Sequence, residues 1–408
     1  MHRYLFVVQH LNIIKENHLK SNKIKNKETI ANMPAHRTLL KNIGAIRNPV
    51  GTNPNFQSLA DVYFTEESLK YTTPDENNDG VIEESILIYD SGAEDVNRLL
   101  IFSNQRLINL VQSNISYQMD GTFSKAPKIY NNGSTNNGQF YTIQARINRK
   151  LVPIFYILMK IRTQQEYRRL LLKLVEMTGL NISNAMLDME LACLNALKSI
   201  FPRCTITLCY YHFQEAIYSW IKAHGMVNRY SNEDQFRKFL HMTACIAFIP
   251  QEDVLEAWNI LENIAIEKFE NDDDVANFLQ YFEGSFIGRL RPDLTRSRPR
   301  YLIEYWNQYQ NVVLLNPRTN NAIEGWHNSL NHLSSCDHPT LYKFLDMIKN
   351  DMDDSRTRII QLNIGQDPAP RRKKYTDFDL LVYNIVSNYD NISKQEYLTN
   401  LSNAYRFM

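Results

Sequence analysis

The hydrophobic pattern in the centre of the chain alternates twice and then becomes continuous, as in a β-sheet with a buried centre. Apolar and polar residues alternate over Ile115–Asp120 and again over Phe140–Ile147, and this period of two predicts a strand in each segment. The unbroken apolar run Leu151–Met159 is typical of a strand covered on both faces. Turn-like residues separate the segments at 131–138 and 148–150, so we expect a meander of three neighbouring strands.

Beyond these strands, helical and strand patterns alternate. The capping box Thr163-Gln-Gln-Glu166 predicts the start of a helix, and Gly179 predicts its end. Ile182–Leu187 then has the composition of a strand, Glu190–Ile200 that of a helix, and Cys204–Tyr210 alternates like a further strand. The order β-β-β-α-β-α-β predicts an α/β fold with a mixed sheet flanked by helices.

The rest of the chain divides into regions by its composition. An Asn-rich and Lys-rich start without clear periodicity is followed by a loop-like stretch at 68–82, whereas the leucine spacing of Asp95–Leu110 predicts a helix. The predicted regions are 1–85, mostly irregular; 86–335, the α/β unit, with an all-helical insertion at about 213–310; and 336–408, a helical C-terminal region.

Composition and charge narrow the function. The 408 residues carry a net charge of +1, so any binding of nucleic acid must come from local basic patches. Five irregularly spaced cysteines argue against a disulfide framework and favour a reducing, intracellular compartment. No apolar run is long enough to cross a bilayer, so we expect no membrane partner. Three interpretations of the basic runs 20–27 and 371–374 stay open: each is a nuclear localisation signal, a phosphate contact or a solvated loop.

Three carboxylates stand at the ends of apolar elements. Asp120 and Asp188 each follow a predicted strand, where side chains project into the crevice beyond a sheet, and Glu324 lies near the start of a helix. Their simpler interpretations are an Asp-Gly turn, a helix N-cap and an exposed, unpaired Glu, respectively. Together, three carboxylates in this order supply oxygen ligands for two divalent cations acting on a phosphodiester. His327 and Asn328 share the face of Glu324 and are candidates for orienting these ligands.

Two further patterns carry chemistry. Cys209 and His212 have the spacing of half a zinc site, but no second pair follows at short spacing, so we expect a structural pair and no zinc. The stretch 289–300 combines five arginines with two prolines, which suits phosphate contacts and equally suits a solvated linker. The candidate DNA-contacting residues are Arg289, Arg291, Arg296, Arg298 and Arg300.

These motifs, in this order, resemble those of the transposases of Mutator-like elements (MULE) over Leu87–Leu333. The segment 86–102 is similar to the one that precedes the catalytic domain in that family. Met119-Asp120-Gly-Thr-Phe with Ala126-Pro127 resembles the first acidic motif, Asp188-x-Glu-x-Ala with Phe201-Pro202 the second, and Arg318-Thr-Asn-Asn-x-x-Glu324-Gly-Trp-His-Asn the third. Cys209-x-x-His212 resembles the Cys/His motif of the family.

The resemblance implies a ribonuclease H-like fold with a helical insertion before the third acid, in agreement with the strand order above. It implies a DDE triad of Asp120, Asp188 and Glu324 that holds two Mg²⁺ or Mn²⁺ ions for DNA cleavage and strand transfer. The implied partner is double-stranded DNA, at the element ends and the target, and the implied location is the nucleus. By analogy we also expect a homodimer, and we assign Cys209 and His212 a structural or DNA-contacting role.

The sequence also departs from the family. Members often carry a zinc-binding DNA module of the FLYWCH or WRKY kind before the catalytic domain, and some carry a SWIM-type zinc finger after it. Here no cysteine precedes Cys193 and one cysteine, Cys336, follows Cys245, so these residues build neither module. Two functions therefore stay open: an active transposase, and a catalytically silent or host-adopted DNA-binding derivative.

Overall fold

The computed structural model describes residues 56–75, 80–113, 116–130, 138–147, 150–334, 336–365 and 372–405. The prediction of irregular chain for residues 1–55, the basic run 20–27 and Arg371 lie outside these described residues. The described strands are β1 (Lys70–Pro74), β2 (Val81–Ser85), β3 (Leu87–Asp90), β4 (Leu100–Phe102), β5 (Ser116–Thr122), β6 (Gln139–Ile147), β7 (Lys150–Met159), β8 (Asn184–Leu187) and β9 (Thr205–Leu208).

Helices precede, connect and follow these strands. The described α-helices are α1 (Glu66–Leu69), α2 (Gln105–Asn109), α3 (Gln164–Thr178), α4 (Leu191–Ile200), α5 (Tyr210–Ala223), α6 (Val227–Asn232), α7 (Asp234–Cys245), α8 (Val254–Lys268), α9 (Asp273–Phe282), α10 (Ile303–Trp306), α11 (Tyr309–Val313), α12 (Asn321–Ser334), α13 (Leu341–Asn363), α14 (Lys373–Ser387) and α15 (Lys394–Ala404). None of these helices is both long and apolar enough to cross a lipid bilayer.

One mixed sheet of seven strands has the order β3-β4-β7-β6-β5-β8-β9. Strands β5, β6 and β7 are antiparallel neighbours, whereas β8 and β9 run parallel to β5 on its other side. The predicted meander, the two later strands and the mixed α/β class are therefore confirmed. Because β5, β8 and β9 are parallel, their carboxyl ends meet at one edge of the sheet, where ligands of open α/β sheets bind.

The region before β5 differs from the sequence prediction. The predicted helix Asp95–Leu110 is wrong in its first part, where strand β4 lies, and only its second part contains a short helix, α2. Residues 99–102 are completely buried, so their hydrophobicity reflects a strand covered on both faces and not one face of a helix. The predicted loop at 68–82 is also wrong where the structure describes it, because β1 and β2 form a hairpin in which Tyr71 and Thr73 alternate with exposed residues.

Helix α3 begins and ends where the sequence predicts. The Thr163 hydroxyl accepts a hydrogen bond from the Glu166 N–H at 3.3 Å, and Gly179 ends the helix in the left-handed conformation with φ of 69°. The Glu166 carboxylate, expected to return to the helix start, instead pairs with Arg169 at 2.6 Å. The cap is therefore carried by the threonine.

The interval between β9 and α12 is mostly helical, and its longest non-helical segments are residues 288–302 and 314–320. Its core is aromatic: the Phe213 ring stacks on Trp306 with centroids 5.3 Å apart and meets Phe286 edge-on at 4.9 Å. The last helix, α15, joins this core because the Tyr397 hydroxyl donates to the Phe248 carbonyl at 2.6 Å. The division of the chain into the three predicted regions stays a prediction.

Candidate active site

Asp120 lies inside β5, two residues before its end, and pairs with Thr142 of β6. The strand continues through Gly121, so the alternative of an Asp-Gly turn is wrong. A side chain at Gly121 has no room, because a Cβ there would overlap the side-chain oxygen of Gln139. The Gly121 N–H donates to Asp120 Oδ1 at 2.6 Å. A larger residue at 121 would therefore require Gln139 to move.

Asp188 directly follows β8, the parallel neighbour of β5, and therefore reaches the same edge of the sheet. It is not the N-cap of α4, since Glu190 occupies that position. Asp188 Oδ1 accepts a hydrogen bond from Asn320 Nδ2 at 2.8 Å and lies 2.9 Å from His212 Nδ1. Both contacts use Oδ1, and the same carboxyl also hydrogen-bonds with that of Asp120.

The Asp120 and Asp188 carboxyls face each other closely enough to share a proton. Burial raises the pKa of Asp120 well above its usual range, and the negative charge of Asp188 raises it further. Burial also acts to raise the pKa of Asp188, but hydrogen bonds with His212, Asp120 and Asn320 outweigh it and lower that pKa. At neutral pH the pair therefore holds one proton and one negative charge.

Glu324 lies in the first turn of α12 and is half-buried. Burial raises the pKa of Glu324, the cationic His212 lowers it and the Asp188 carboxylate raises it, so Glu324 is within electrostatic reach of both groups. The alternative of an isolated, exposed glutamate is therefore not what the structure shows. Asp120 and Asp188 therefore face each other, and Glu324 lies within electrostatic range of Asp188; the catalytic role of the three carboxyls stays a prediction.

His327 follows Glu324 by about one helical turn, and its Nδ1 lies 3.6 Å from Asp120 Oδ2. Burial lowers the pKa of His327 to about 4, so the ring is neutral at physiological pH. Its Nε2 is buried and has no hydrogen-bond partner within the described part of the chain. Asn328, in contrast, is exposed. Of these two candidate orienting residues, His327 is the one that lies against an acid.

Cys209 and His212 stand at the start of α5, beside Asp188. The buried Cys209 Sγ accepts the Asn320 N–H at 3.2 Å. Burial lowers the pKa of His212, but pairing with Asp188 and Cys209 outweighs burial and raises it to about 11, so the ring is cationic. Donor atoms of Asp188, Cys209 and His212 lie within 4.8 Å of one another, which is one ligand short of a structural zinc site. The expected absence of zinc stays a prediction.

The segment that leads into α12 is fastened to the same edge of the sheet. The Tyr210 N–H donates to the Arg318 carbonyl at 2.8 Å, and Gln308 Nε2 donates to the Leu208 carbonyl at 2.8 Å. Asn320 adds the contacts to Cys209 and Asp188 described above. The Cys/His motif and the third acidic motif are therefore one structural joint, which the sequence showed only as two separate motifs.

A polar layer behind the acids was not predicted. Gln139 Nε2 donates to the Tyr167 hydroxyl at 2.6 Å, and that hydroxyl donates to Glu190 Oε2 at 2.8 Å. The Tyr141 hydroxyl lies 3.1 Å from Cys193 Sγ. The strand and helix patterns mark most of these residues as core positions, and no local signal shows that their polar ends meet behind Asp120 and Asp188.

The arginine-rich stretch forms an ordered hairpin, here called the arginine hairpin (residues 288–300). Leu290 and Arg296 form its antiparallel bridge. Four of the five arginines are exposed, whereas Arg296 is half-buried and pairs with Glu283 at 2.8 Å. At the base of the hairpin, the Tyr301 hydroxyl donates to the carbonyl of Met189 at 2.8 Å. Because Met189 follows Asp188, this bond ties the base of the hairpin to the chain next to the second acid.

Comparison with known protein families gives a match in the central part of the chain. Residues 117–216 match the family model of the MULE transposase domain. This segment contains Asp120, Asp188, Cys209 and His212, whereas Glu324 lies beyond it. Curated proteins give no match to the chain. The resemblance to MULE transposases that the sequence shows is thereby confirmed over residues 117–216.

Proposed function

We propose that this chain, a MULE transposase by the match of residues 117–216, cleaves DNA and transfers strands in a metal-dependent reaction of the DDE type. The observation that carries the proposal is that Asp120 and Asp188 face each other at one edge of the sheet while the helix of Glu324 is held against them, through His327 to Asp120 and through the preceding Asn320 to Asp188. A buried pair of facing carboxyls lowers the stability of the fold, so stability alone does not explain it. Such perturbed groups concentrate at functional sites.

Mg²⁺ or Mn²⁺ fits this set of ligands. Both ions prefer carboxylate oxygens, and a divalent cation removes the repulsion that helps to raise the pKa of Asp120. Asp120, Asp188 and Glu324 would hold two such ions, which when bound activate water or a DNA 3′-hydroxyl for in-line attack and stabilise the leaving oxygen.

The chain's own residues hold the carboxylates in place for this reaction. Asn320 and the cationic His212 contact Oδ1 of Asp188, which fixes the direction of Oδ2. The Gly121 N–H fixes Oδ1 of Asp120 in the same way, and the neutral His327 lies at Oδ2. Residues that orient metal ligands in this way raise the affinity for the metal and fix the position of the bound ion.

The strand order supports the ribonuclease H-like fold that the family resemblance implies. Counted from β5 to β9 along the chain, the order across the sheet is third, second, first, fourth, fifth. The first three of these strands are antiparallel, and the last two run parallel to the first. This arrangement makes the strands of the first two acids direct neighbours, while helices α5–α11 lie before the helix of the third.

The arginine hairpin is the DNA contact in this proposal. Its four exposed arginines are Arg289, Arg291, Arg298 and Arg300. Guanidinium groups suit phosphate oxygens, and the bond from Tyr301 to Met189 holds the hairpin next to the carboxyls. DNA bound there lies with its backbone beside the acids. We further propose a nuclear location and a homodimer that brings two sites to paired element ends.

Mn²⁺-dependent nicking of supercoiled plasmid tests the function. We expect the wild type to nick the plasmid and Glu324→Gln to lose this activity, because the amide is a poor cation ligand of nearly the same shape. Glu267→Gln, an exposed change on α8, is the matched control and should nick like the wild type. Circular dichroism confirms that the variants are folded.

The outcomes separate the proposal from its alternative. If the folded wild type binds the plasmid without nicking it, the result would favour the catalytically silent DNA-binding derivative over the active transposase. Equal nicking by the wild type and Glu324→Gln would place the activity in a different site. Neither binding nor nicking would contradict both functions.

A further inference from the structure

A buried carboxylate joins three elements behind the candidate active site. Asp351, on α13, accepts hydrogen bonds from the indole Nε1 of Trp326 at 2.9 and 3.0 Å. Its Oδ2 also accepts the hydroxyl of Tyr156, on β7, at 2.7 Å. The exposed fractions are 2% for Asp351, 5% for Trp326 and 0% for Tyr156. The central sheet, α12 and α13 therefore meet at one carboxyl group.

A carboxylate in such a place is costly unless it is fully hydrogen-bonded. Burial raises the pKa of Asp351 to about 6, and the hydrogen bonds from Tyr156 and Trp326 act in the opposite direction. Removing the carboxyl would take away the acceptor of the buried Trp326 indole N–H and the 2.7 Å bond of the Tyr156 hydroxyl, which costs more than the loss of an exposed contact. The two donors come from different elements, α12 and β7, so the hydrogen bonds form only when both elements are correctly placed against α13.

Trp326 connects this joint to the third acid. It follows Glu324 by two positions on α12, about 200° around the helix axis, so the two side chains leave the helix on opposite sides. The indole ring packs against Phe140 of β6 and Tyr156 of β7, with centroids 6.1 and 6.4 Å away. The rotation of α12 that buries the indole is the rotation that turns Glu324 towards Asp120 and Asp188.

We propose that Asp351 is a positioning residue that fixes the rotation and depth of α12 through Trp326 and so holds Glu324 at the other two acids. The function of this contact rests on the proposed metal-dependent activity. The contact itself is independent of that activity. The two can therefore be tested separately, the anchoring of α12 without metal and its consequence with metal.

Helix α13 offers a matched control. The Tyr71 hydroxyl of β1 donates to Asp353 Oδ1 at 3.0 Å, which is the same tyrosine–aspartate chemistry two residues along the helix. Asp353→Ala breaks that pair without touching Trp326. Asp351→Asn tests rescue, because its amide oxygen can accept the indole N–H while its NH₂ group donates to the Tyr156 hydroxyl. Trp326→Phe removes the indole donor and keeps an aromatic ring.

Hydrogen exchange followed by mass spectrometry, without metal, is the first measurement on the full chain. We expect Asp351→Ala and Trp326→Phe to raise amide exchange in α12 by about tenfold or more, while α3 stays protected. Asp351→Asn and Asp353→Ala should leave α12 close to the wild type. Unchanged α12 exchange in both Asp351→Ala and Trp326→Phe would overturn the proposal, as would an equal loss of protection in Asp353→Ala.

Mn²⁺ binding, measured by electron paramagnetic resonance, then tests the consequence. Asp351→Ala should weaken Mn²⁺ affinity by about tenfold, the loss typical when ligand-orienting residues are removed. Asp353→Ala should bind like the wild type, and Asp351→Asn should recover most of the affinity. If the wild type binds no Mn²⁺, the proposed function fails while the exchange data still decide the anchoring. If the wild type binds and Asp351→Ala binds equally well, the positioning role is contradicted.

Discussion

The Gln139 side chain lies so close to Gly121 that it leaves no space for a Cβ unless it moves. The methyl group of Gly121→Ala would overlap the side-chain oxygen of Gln139, which must then move. Movement of Gln139 breaks its hydrogen bond to Tyr167 and disturbs the support of Glu190. We expect Gly121→Ala to lower the free energy of unfolding by about 1–3 kcal/mol and to reduce Mn²⁺-dependent nicking. Urea denaturation and the plasmid assay measure the two effects.

Gly325 provides the control for this prediction. It lies on α12 next to Glu324, and a Cβ there meets no atom within 4 Å. Alanine is favoured over glycine inside a helix by about 0.5–1 kcal/mol, so Gly325→Ala should raise the free energy of unfolding. A loss of stability as large as that of Gly121→Ala would argue that close approach is not the reason for the glycine at 121.

Asp351 gives a pH dependence with a defined sign. Burial raises its pKa to about 6, the facing Arg358 lowers it and Asp354 raises it. Between its unfolded pKa near 3.8 and about pH 6, the folded protein binds the Asp351 proton and the unfolded chain releases it, so stability falls as pH rises. Asp351→Asn cannot titrate. The stability of this variant relative to the wild type should therefore increase by roughly 2–3 kcal/mol from pH 4 to pH 7.

Denaturation of both proteins across this pH range makes the measurement, because the other carboxyls are common to both and cancel in the difference. Asp353→Asn serves as the comparison on the same helix and should show a smaller change. A difference between Asp351→Asn and wild type that stays constant with pH would mean that the Asp351 carboxyl titrates as it does in water.

At the scale of elements, the arginine hairpin separates exposed from paired arginines within one short segment. Arg291 is exposed, whereas Arg296 is half-buried and pairs with Glu283. Each phosphate contact changes the slope of log affinity against log salt by about one unit. We expect Arg291→Ala to reduce the slope for a plasmid fragment by about 1 and Arg296→Ala to change it less. Fluorescence anisotropy at several salt concentrations measures the slopes, and equal slopes for Arg291→Ala and the wild type would exclude the hairpin as a phosphate contact.

The elements that the sequence predicts well are those with a local signature. Strands β5 to β9 and helix α3 follow from periodicity, turn residues and a capping threonine, all of which are properties of neighbouring residues. Strand β4 was missed, because a short segment buried on both faces has no period that distinguishes it from a helix. The burial of Leu99 and its neighbours depends on β3 and β7, which are distant in the chain.

The candidate site also divides into residues with a local sequence signature and residues whose contacts are distant in the chain. Asp120, Asp188 and Glu324 could be named from the sequence, because their motifs are local and occur in a recognisable order. Their supports could not be named in the same way. The contacts from Asn320 to Asp188 and from Trp326 to Asp351 join residues 132 and 25 positions apart, and neither pair leaves a pattern in the sequence.

At the scale of the whole molecule, the net charge of +1 means that no overall field draws this protein to DNA. Association must therefore depend on where the positive charge lies. The arginine hairpin carries four exposed arginines, and its base is bonded to the residue that follows Asp188, so a positively charged segment is anchored next to one of the acids. A bound divalent cation would reduce the negative part of this field and favour the approach of a phosphate.

The repulsion between Asp120 and Asp188 predicts how a bound metal ion changes the stability of the whole protein. Metal that binds the folded protein stabilises it by mass action, by about 2.7 kcal/mol at a concentration 100 times the dissociation constant. Asp120 faces Asp188 in a buried site, so Asp120→Asn removes a group whose ionisation is resisted by its surroundings. We expect this variant to be at least about 1 kcal/mol more stable than the wild type without metal and to gain little from Mn²⁺. The wild type should become the more stable protein once Mn²⁺ is added.

Urea denaturation with and without Mn²⁺ measures this reversal, with Glu267→Gln as the control that should follow the wild type. If Mn²⁺ stabilises Asp120→Asn as much as the wild type, Asp120 is not a metal ligand.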